Sequence, residues 1–291
     1  MKLILNNSLA FINGLRRSLI SYVPSFSLNT KFIENETDYN TDILNLRISM
    51  IPVKTQFKCS LQKTNNTDKI IKITSNDFNN ENIMQDIFIF NLKPKQTIHI
   101  ECESEMGYGY QHSRWQVIQT PWMKKIEDVV FKKYDAEKFI SIVPELFING
   151  KLDKQKCLID RTAVAKLNEI SPIVTFTHNG DYELGFESNY YDEKFCLDKA
   201  FEHLKQLFNS FEYEIIHDPN IKILKFNNRS YTFGNILQYY LQQKCNFSSF
   251  IKPHHLDNYI LIKMDNNLSI LEDIRKQILL DLEQFQQSCI L

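Results

Sequence analysis

The sequence predicts an α+β fold in which two strand–short helix–strand–long helix units pair within one chain. The first unit is interrupted by a mostly β inserted domain. Three observations carry this expectation. Amphipathic stripes of helical period recur at both ends of the chain. Between 54 and about 180 the texture changes to strand-like pieces divided by Asn, Asp and Lys. Each long helix has an apolar stripe that must be covered, and the other unit offers a matching surface.

The first element is "NSLAFINGLRRSLISYVP" (7–24), a helix that Asn7 or Ser8 can cap and that stops before Pro24. At 100° per residue Ile12, Leu15, Leu19, Tyr22 and Val23 share one face. Arg16 flanks that stripe. Arg17 lies almost opposite its centre, on a face of small residues, Ala10, Gly14 and Ser21. "FSLNTKFIEN" and "DILNLRISMIPV" are expected to be extended, with Pro52 closing the run. "DIFIFNLKPKQTIHIEC" has the form of a hairpin about Lys-Pro-Lys-Gln. Residues 126–145 could hold short helices.

From about 181 strand and helix alternate again. "DYELGFES" precedes a helix with Leu197, Phe201, Leu204 and Phe208 on one stripe. "NIKILKF" is a strand. "TFGNILQYYLQQ" is a helix with Thr232 as its N-cap and Phe233, Ile236, Leu237, Tyr240 and Leu241 on one face. "NYILIKM" is a strand, and a long helix from about 269 carries Leu271, Ile274, Ile278, Leu282, Phe285 and Cys289. The expected divisions are 1–53 with 181–211, the inserted domain 54–180, a linker near 211–220, and a second unit 212–291.

Composition narrows the function. Formal net charge is −1, so the basic excess of a sequence-independent nucleic-acid binder is missing. The six cysteines form no C-x-x-C and suit free thiols of a reducing compartment. The apolar run of "MKLILNNSL" is too short for a signal peptide, and no run is long enough for a membrane span. An intracellular protein without membrane contact is expected. With seven glycines, Gly107-Tyr108-Gly109 is the one dense spot, and it lacks the third glycine of a dinucleotide fingerprint. His254 and His255 are adjacent, a spacing that suits a loop better than a metal site. Neither G-x-S-x-G nor H-E-x-x-H occurs. No cofactor, metal or catalytic residue is therefore expected.

Several segments resemble, in order, the alpha-type assembly subunits of multisubunit RNA polymerases. "NSLAFINGLRRSLISYVPSFSL" resembles the "N-x-x-x-A-N-A-L-R-R-x-x-x-x-x-V-P" opening of these subunits, and Asp42 with "LRISMIPV" (46–53) their "H-R-L-G-L-I-P" stretch without its histidine and glycine. "GYGYQHSRWQVIQ" (107–119) is similar to "G-x-G-x-x-H-A-K-W" through Gly107, Gly109, His112, Arg114 and Trp115. "FNNRSYTFGNILQYYLQ" (226–242) resembles the "D-H-T-L-G-N-x-L-R" signature of the eleventh-type, archaeal L-like subunit, with Tyr231 in place of its histidine. "IKPHHLDNYILIKM" (251–264) resembles that partner's "Y-x-x-P-H-P-L" and following strand.

The resemblance implies two alpha-type dimerisation units, a third-subunit-like half joined to an eleventh-subunit-like half, as in large DNA viruses. It implies a non-catalytic assembly scaffold for transcription that docks the second-largest polymerase subunit and small zinc-bearing subunits, with the largest subunit joining through the assembly. No specific DNA contact is implied. A viral source would place the chain in the host cytoplasm and in the virion. The family's cysteine cluster for zinc or iron–sulfur is missing and is not carried over. Partner contacts are expected from Arg16, Arg17, Gly14, Asp42 and Arg47, although Arg47 could equally pair internally with Asp42. Packing between the halves is expected from Leu15, Leu19, Thr232, Phe233, Gly234, Leu237, Ile278 and Leu282. His112 and Trp115 are expected to anchor the inserted domain. The rival expectations are a stand-alone interaction module sharing the fold and an intracellular enzyme using 54–180.

Overall fold

The computed structural model describes residues 1–188, 190–216, 221–265 and 268–290. The chain opens with β1 (Lys2–Asn6), α1 (Leu9–Ser21), β2 (Pro24–Asn35) and α2 (Thr41–Ser49). Strands β3 (Lys58–Thr64), β4 (Ile71–Thr74), β5 (Phe88–Leu92), β6 (Thr97–Tyr108) and β7 (Ile118–Phe131) follow. Next come α3 (Ala136–Ile140), β8 (Phe147–Ile148), β9 (Lys151–Leu152), α4 (Lys154–Ile159), α5 (Arg161–Ile170) and β10 (Val174–Ser188). The last third holds α6 (Glu193–Phe208), β11 (Glu214–Ile216), β12 (Lys222–Asn227), α7 (Tyr231–Lys244), β13 (Ser248–Ile251), β14 (Tyr259–Met264) and α8 (Ile270–Ile290).

Two compact units result. The larger comprises Met1, Leu9–Trp122 and Gly185–Leu291, and the smaller Lys2–Ser8 with Met123–Leu184. The expected inserted domain is thus divided, since 54–122 packs with the larger unit. The linker expected near 211–220 is partly structured. β11 pairs antiparallel with β12, and the Phe211 ring lies 6.0 Å from Phe226 and 5.7 Å from Phe233. Residues 217–220 of that linker lie outside the described residues.

In the larger unit, one core lies between the sheet β2-β6-β3 and the pair β4-β5. Leu28, Leu44, Ile48, Leu61, Phe90 and Ile100 belong to it. Helix α2 corrects the expectation of an extended 42–53. Asn40 caps it by accepting from the Asp42 amide at 2.7 Å, and Leu44 and Ile48, one turn apart, are wholly buried. The expected hairpin also fails: β5 pairs with β4, while β6 is flanked by β2 and β3. Buried Asn65 explains this. Its Nδ2 donates to the carbonyls of Lys69 (2.8 Å) and Leu92 (2.9 Å), while its main chain bonds Gln96 and Lys95. The turn is therefore tied to the β3–β4 connection.

Helices α1, α6, α7 and α8 pack on one another in the same unit. Phe11 meets Tyr240 and Phe285 edge-on at 5.8 and 6.4 Å, Phe201 meets Phe285 at 5.3 Å, and Phe208 stacks on Phe233 at 5.0 Å. Between the long helices, Lys205 donates to Gln286, which donates to Asp198. Leu15, Leu19, Leu237, Ile278 and Leu282 are wholly buried. The second-half sheet runs β11-β12-β14-β13.

The smaller unit contains the sheet β1-β10-β7 and the β8-β9 pair. Its core includes Val129, Phe139, Leu146, Cys157, Val164 and Leu167. Asp135, Asp153 and Asp160 cap α3, α4 and α5. Helix is confined to Ala136–Ile140 within 126–145 except for a 3-10 turn, because 126–131 continues β7. Among the described residues no helix is long and apolar enough to cross a membrane.

Candidate docking face

Helix α1 is buried on two sides, against α6 and α7, and its end is fixed by the loop after β6. The Tyr110 amide donates to the Ser21 carbonyl at 3.1 Å, satisfying one of the acceptors a helix end leaves open. Gly109 makes this possible, because a Cβ there would fall on the Ile20 carbonyl oxygen at well under 3.0 Å. Gly107 likewise lies under the Trp115 ring, where a Cβ has no room. His112 caps the 3-10 turn Ser113–Trp115 through Nδ1, and the Arg114 guanidinium lies 3.9 Å from the Trp115 ring centroid. His112 and Trp115 therefore clamp the larger unit, and are not the separate inserted-domain anchor expected from the sequence.

Below the clamp Ser18 Oγ and His203 Nδ1 are 2.9 Å apart, and the His203 ring stacks on Tyr22 at 3.5 Å. Burial lowers the His203 pKa to about 4, so the imidazole is neutral at physiological pH. Burial raises the Tyr22 phenol; Tyr110 adds to that and the Arg17 charge opposes it.

Against this fixed background the two arginines differ. Arg16 is half-buried and donates Nε and Nη2 to Asn13 Oδ1 at 3.1 and 3.0 Å. Arg17 is exposed and has no hydrogen bond or ion pair among the described residues. Its planar guanidinium fork suits a carboxylate or carbonyl, and ordering the free side chain against one costs about 0.5–1.5 kcal/mol.

Gly14 corrects the expectation of a small exposed patch around Arg17. It is buried, and a Cβ there would meet Ile236 Cδ1 at 3.1 Å, Thr232 Cγ2 at 3.2 Å and Leu204 Cδ2 at 3.5 Å. It serves close packing of α1 on α7. Thr232 sits inside α7 in this contact, while Ser230 takes the N-cap position. Gly234 faces its own half instead: a Cβ would enter the Phe250 ring of β13.

The second exposed feature is the outer side of α2. Ile43, Leu46 and Met50 are 51, 53 and 45% exposed, at a spacing that puts them on one face. Asp42 is exposed in the first turn, where the helix dipole favours a carboxylate. Arg47 is exposed, but its Nη1 donates to the Ile89 carbonyl at 2.8 Å and not to Asp42. Past the helix, Met50 and Pro52 line a cavity of about 190 Å³ with Arg114, Gln116, Tyr190 and Tyr191. Segments 46–53 and 107–119 thus converge in space. Arg17 and the α2 ridge are held by different layers, α1 on α6 and α7, and α2 on β2 and β5. The ridge was missed in the sequence because 42–53 looked extended; Asn40 and the 44/48 spacing were its signal.

Arg17, unpaired among the described residues, and the exposed apolar ridge of α2 are the surface features best suited to meeting another chain. No family model matches the sequence. Among curated proteins, the chain is 30% identical over 156 residues to DNA-directed RNA polymerase subunit Rpo3 of Methanocaldococcus jannaschii, matching 48% of this chain and 81% of that one. It is 24% identical over 235 residues to the Rpo3 subunit of Pyrobaculum arsenaticum, across 71% of this chain and 88% of the relative. Similarity extends to the DNA-directed RNA polymerases I and III subunit rpac1 of Dictyostelium discoideum, at 28% over 150 residues, although the chain spans only 44% of its length. The chain belongs to the family of Rpo3-type, alpha-like subunits of DNA-directed RNA polymerase. These are non-catalytic assembly subunits of the polymerase complex.

Proposed function

We propose that the chain is a single-chain assembly scaffold, in which an Rpo3-like half and an L-like half form an intramolecular pseudo-dimer. The expected halves are 1–53 with 181–211 and 212–291, joined without the entropy of bimolecular association. The resemblance of 226–242 and 251–264 to the eleventh-type partner supports the fusion, and the packing of α1 on α7 and α6 on α8 supports the pairing. A viral source, with the virion as one location, rests on the occurrence of such fusions in large DNA viruses.

The observation that carries the docking role is Arg17, exposed and unpaired among the described residues on a helix otherwise packed against α6 and α7. Arg17 engages the second-largest polymerase subunit. The α2 ridge, with Asp42 and Arg47 at its edges, extends the apolar part of a docking surface. Small zinc-bearing subunits dock beside it, and the largest subunit joins through the assembly. Co-expression with the second-largest and small zinc-bearing subunits of the same genome, read by native mass spectrometry, tests this. A stoichiometric complex is expected. A chain that remains alone with every partner present leaves the stand-alone interaction module as the better description.

A further inference from the structure

The six cysteines are far apart in sequence, yet the β-sheet of the larger unit sets two of them face to face. In the register of β3 against β6, Cys59 lies directly opposite Cys102. The Ser104 amide donates to the Phe57 carbonyl at 2.9 Å, which makes 57 and 104 a hydrogen-bonded pair. Such pairs alternate along an antiparallel ladder, so 59 and 102 are another, with Cα atoms about 5.5 Å apart. That Cα separation is within the range a disulfide spans, and closing the bond draws together Cβ atoms that start about 5.5 Å apart in such a pair. Both side chains are on the core-facing side of the sheet, at the edge of the core cluster. Both are reduced, Cys102 buried and Cys59 half-buried. Cys59 lies on the outer strand of the sheet β2-β6-β3 and is only half-buried, so of the two it is the one a small molecule can reach.

We propose that Cys59 and Cys102 are a peroxide-reactive dithiol that closes reversibly into a disulfide between β3 and β6. Cys59 reacts first. The facing Cys102 thiol holds the Cys59 thiol below the ordinary range, against the opposing effect of burial. The Cys102 thiol is raised, first by the neighbouring Cys59 and then by burial.

The Cys59 thiolate attacks one oxygen of a hydroperoxide. The O–O bond breaks, the leaving oxygen takes a proton, and Cys59 becomes a sulfenic acid. The Cys102 sulfur then attacks the Cys59 sulfur. The S–S bond forms, the S–O bond breaks, and the hydroxide leaves as water with the Cys102 proton. Two electrons pass from the two sulfurs to the peroxide. With hydrogen peroxide the products are one disulfide and two waters, and a dithiol reductant reverses the change.

The test uses the full chain and hydrogen peroxide. The protein is oxidised, alkylated with N-ethylmaleimide, digested without reductant and mapped by mass spectrometry. The expected result is a Cys59 peptide linked to a Cys102 peptide, two hydrogens lighter than the pair and released by dithiothreitol. In Cys102→Ser, Cys59 is expected to stop at the sulfenic acid and be trapped by dimedone. The proposal is overturned if both cysteines of the wild-type chain remain alkylatable after peroxide. It is equally overturned if Cys59 accumulates as sulfenic or sulfinic acid with Cys102 free, or if either cysteine links instead to Cys157, Cys196, Cys245 or Cys289.

Discussion

Replacing Gly14 separates a residue that packs the helices together from one that faces a partner. The nearest atoms to a Cβ at this position are side-chain ends at 3.1, 3.2 and 3.5 Å, from Ile236, Thr232 and Leu204. In Gly14→Ala the methyl presses on movable ends, and the helix gains about 0.8–1.0 kcal/mol from losing glycine. The two effects nearly cancel, and stability should hardly change. Gly14→Leu adds three more carbons where no space remains. Overpacking costs about 1–3 kcal/mol, and after a helix-propensity gain of about 0.8 kcal/mol a net loss of up to about 2 kcal/mol is expected. At about 2–4 °C per kcal/mol the thermal midpoint falls by up to several degrees. Thermal unfolding followed by circular dichroism measures this for wild type, Gly14→Ala and Gly14→Leu. A Gly14→Leu protein as stable as wild type would refute the packing role and return Gly14 to the exposed face.

Three further perturbations address the clamp, the buried imidazole and the unexpected helix. Gly109→Ala forces a methyl onto the Ile20 carbonyl, which is backbone and cannot swing aside; a loss of about 1–3 kcal/mol is expected in urea unfolding. Because the folded-state pKa of His203 is depressed to about 4, the unfolded chain takes up a proton first as pH falls below about 6.5. The stability contributed by the neutral ring is therefore complete above that pH and is lost toward pH 4, by up to about 3 kcal/mol in all. His203→Gln should flatten the slope of unfolding free energy against pH over this window, and an unchanged slope would show that another group titrates there. Asn40→Ala removes the α2 cap and should cost about 1 kcal/mol in chemical denaturation.

The helices were legible because their apolar stripes have one period and one destination. Leu15, Leu19, Leu237, Ile278 and Leu282 were placed on buried faces from spacing alone, and are buried. What failed depended on contacts distant in sequence. The partner choice of β5 and β6 turns on the side chain of Asn65, which no pattern around 87–102 reveals. The extended assignment of 42–53 followed its apolar run and undervalued Asn40 as a cap. A helical glycine signals close approach without saying to what. Gly14 meets another helix and Gly234 a strand of its own half, so the two roles could not be told apart beforehand. The facing of Cys59 and Cys102 exists only in the register of β3 on β6. Of the candidate face, the prominence of Arg17 was readable from its place on the helical wheel. The Arg16–Asn13 hydrogen bonds that set its neighbour apart were not.

The docking role is tested most directly by charge reversal at the two arginines, one at a time. Wild type, Arg16→Glu and Arg17→Glu are each co-expressed with the second-largest polymerase subunit and the small zinc-bearing subunits and compared by native mass spectrometry. Circular dichroism serves as the fold control. Arg17→Glu should fold as wild type does and lose the complex by about 30-fold or more, the loss of a residue worth at least about 2 kcal/mol in binding. Arg16→Glu should keep most of it. Equal complex formation by wild type and Arg17→Glu would contradict the assignment of Arg17 as the docking cation.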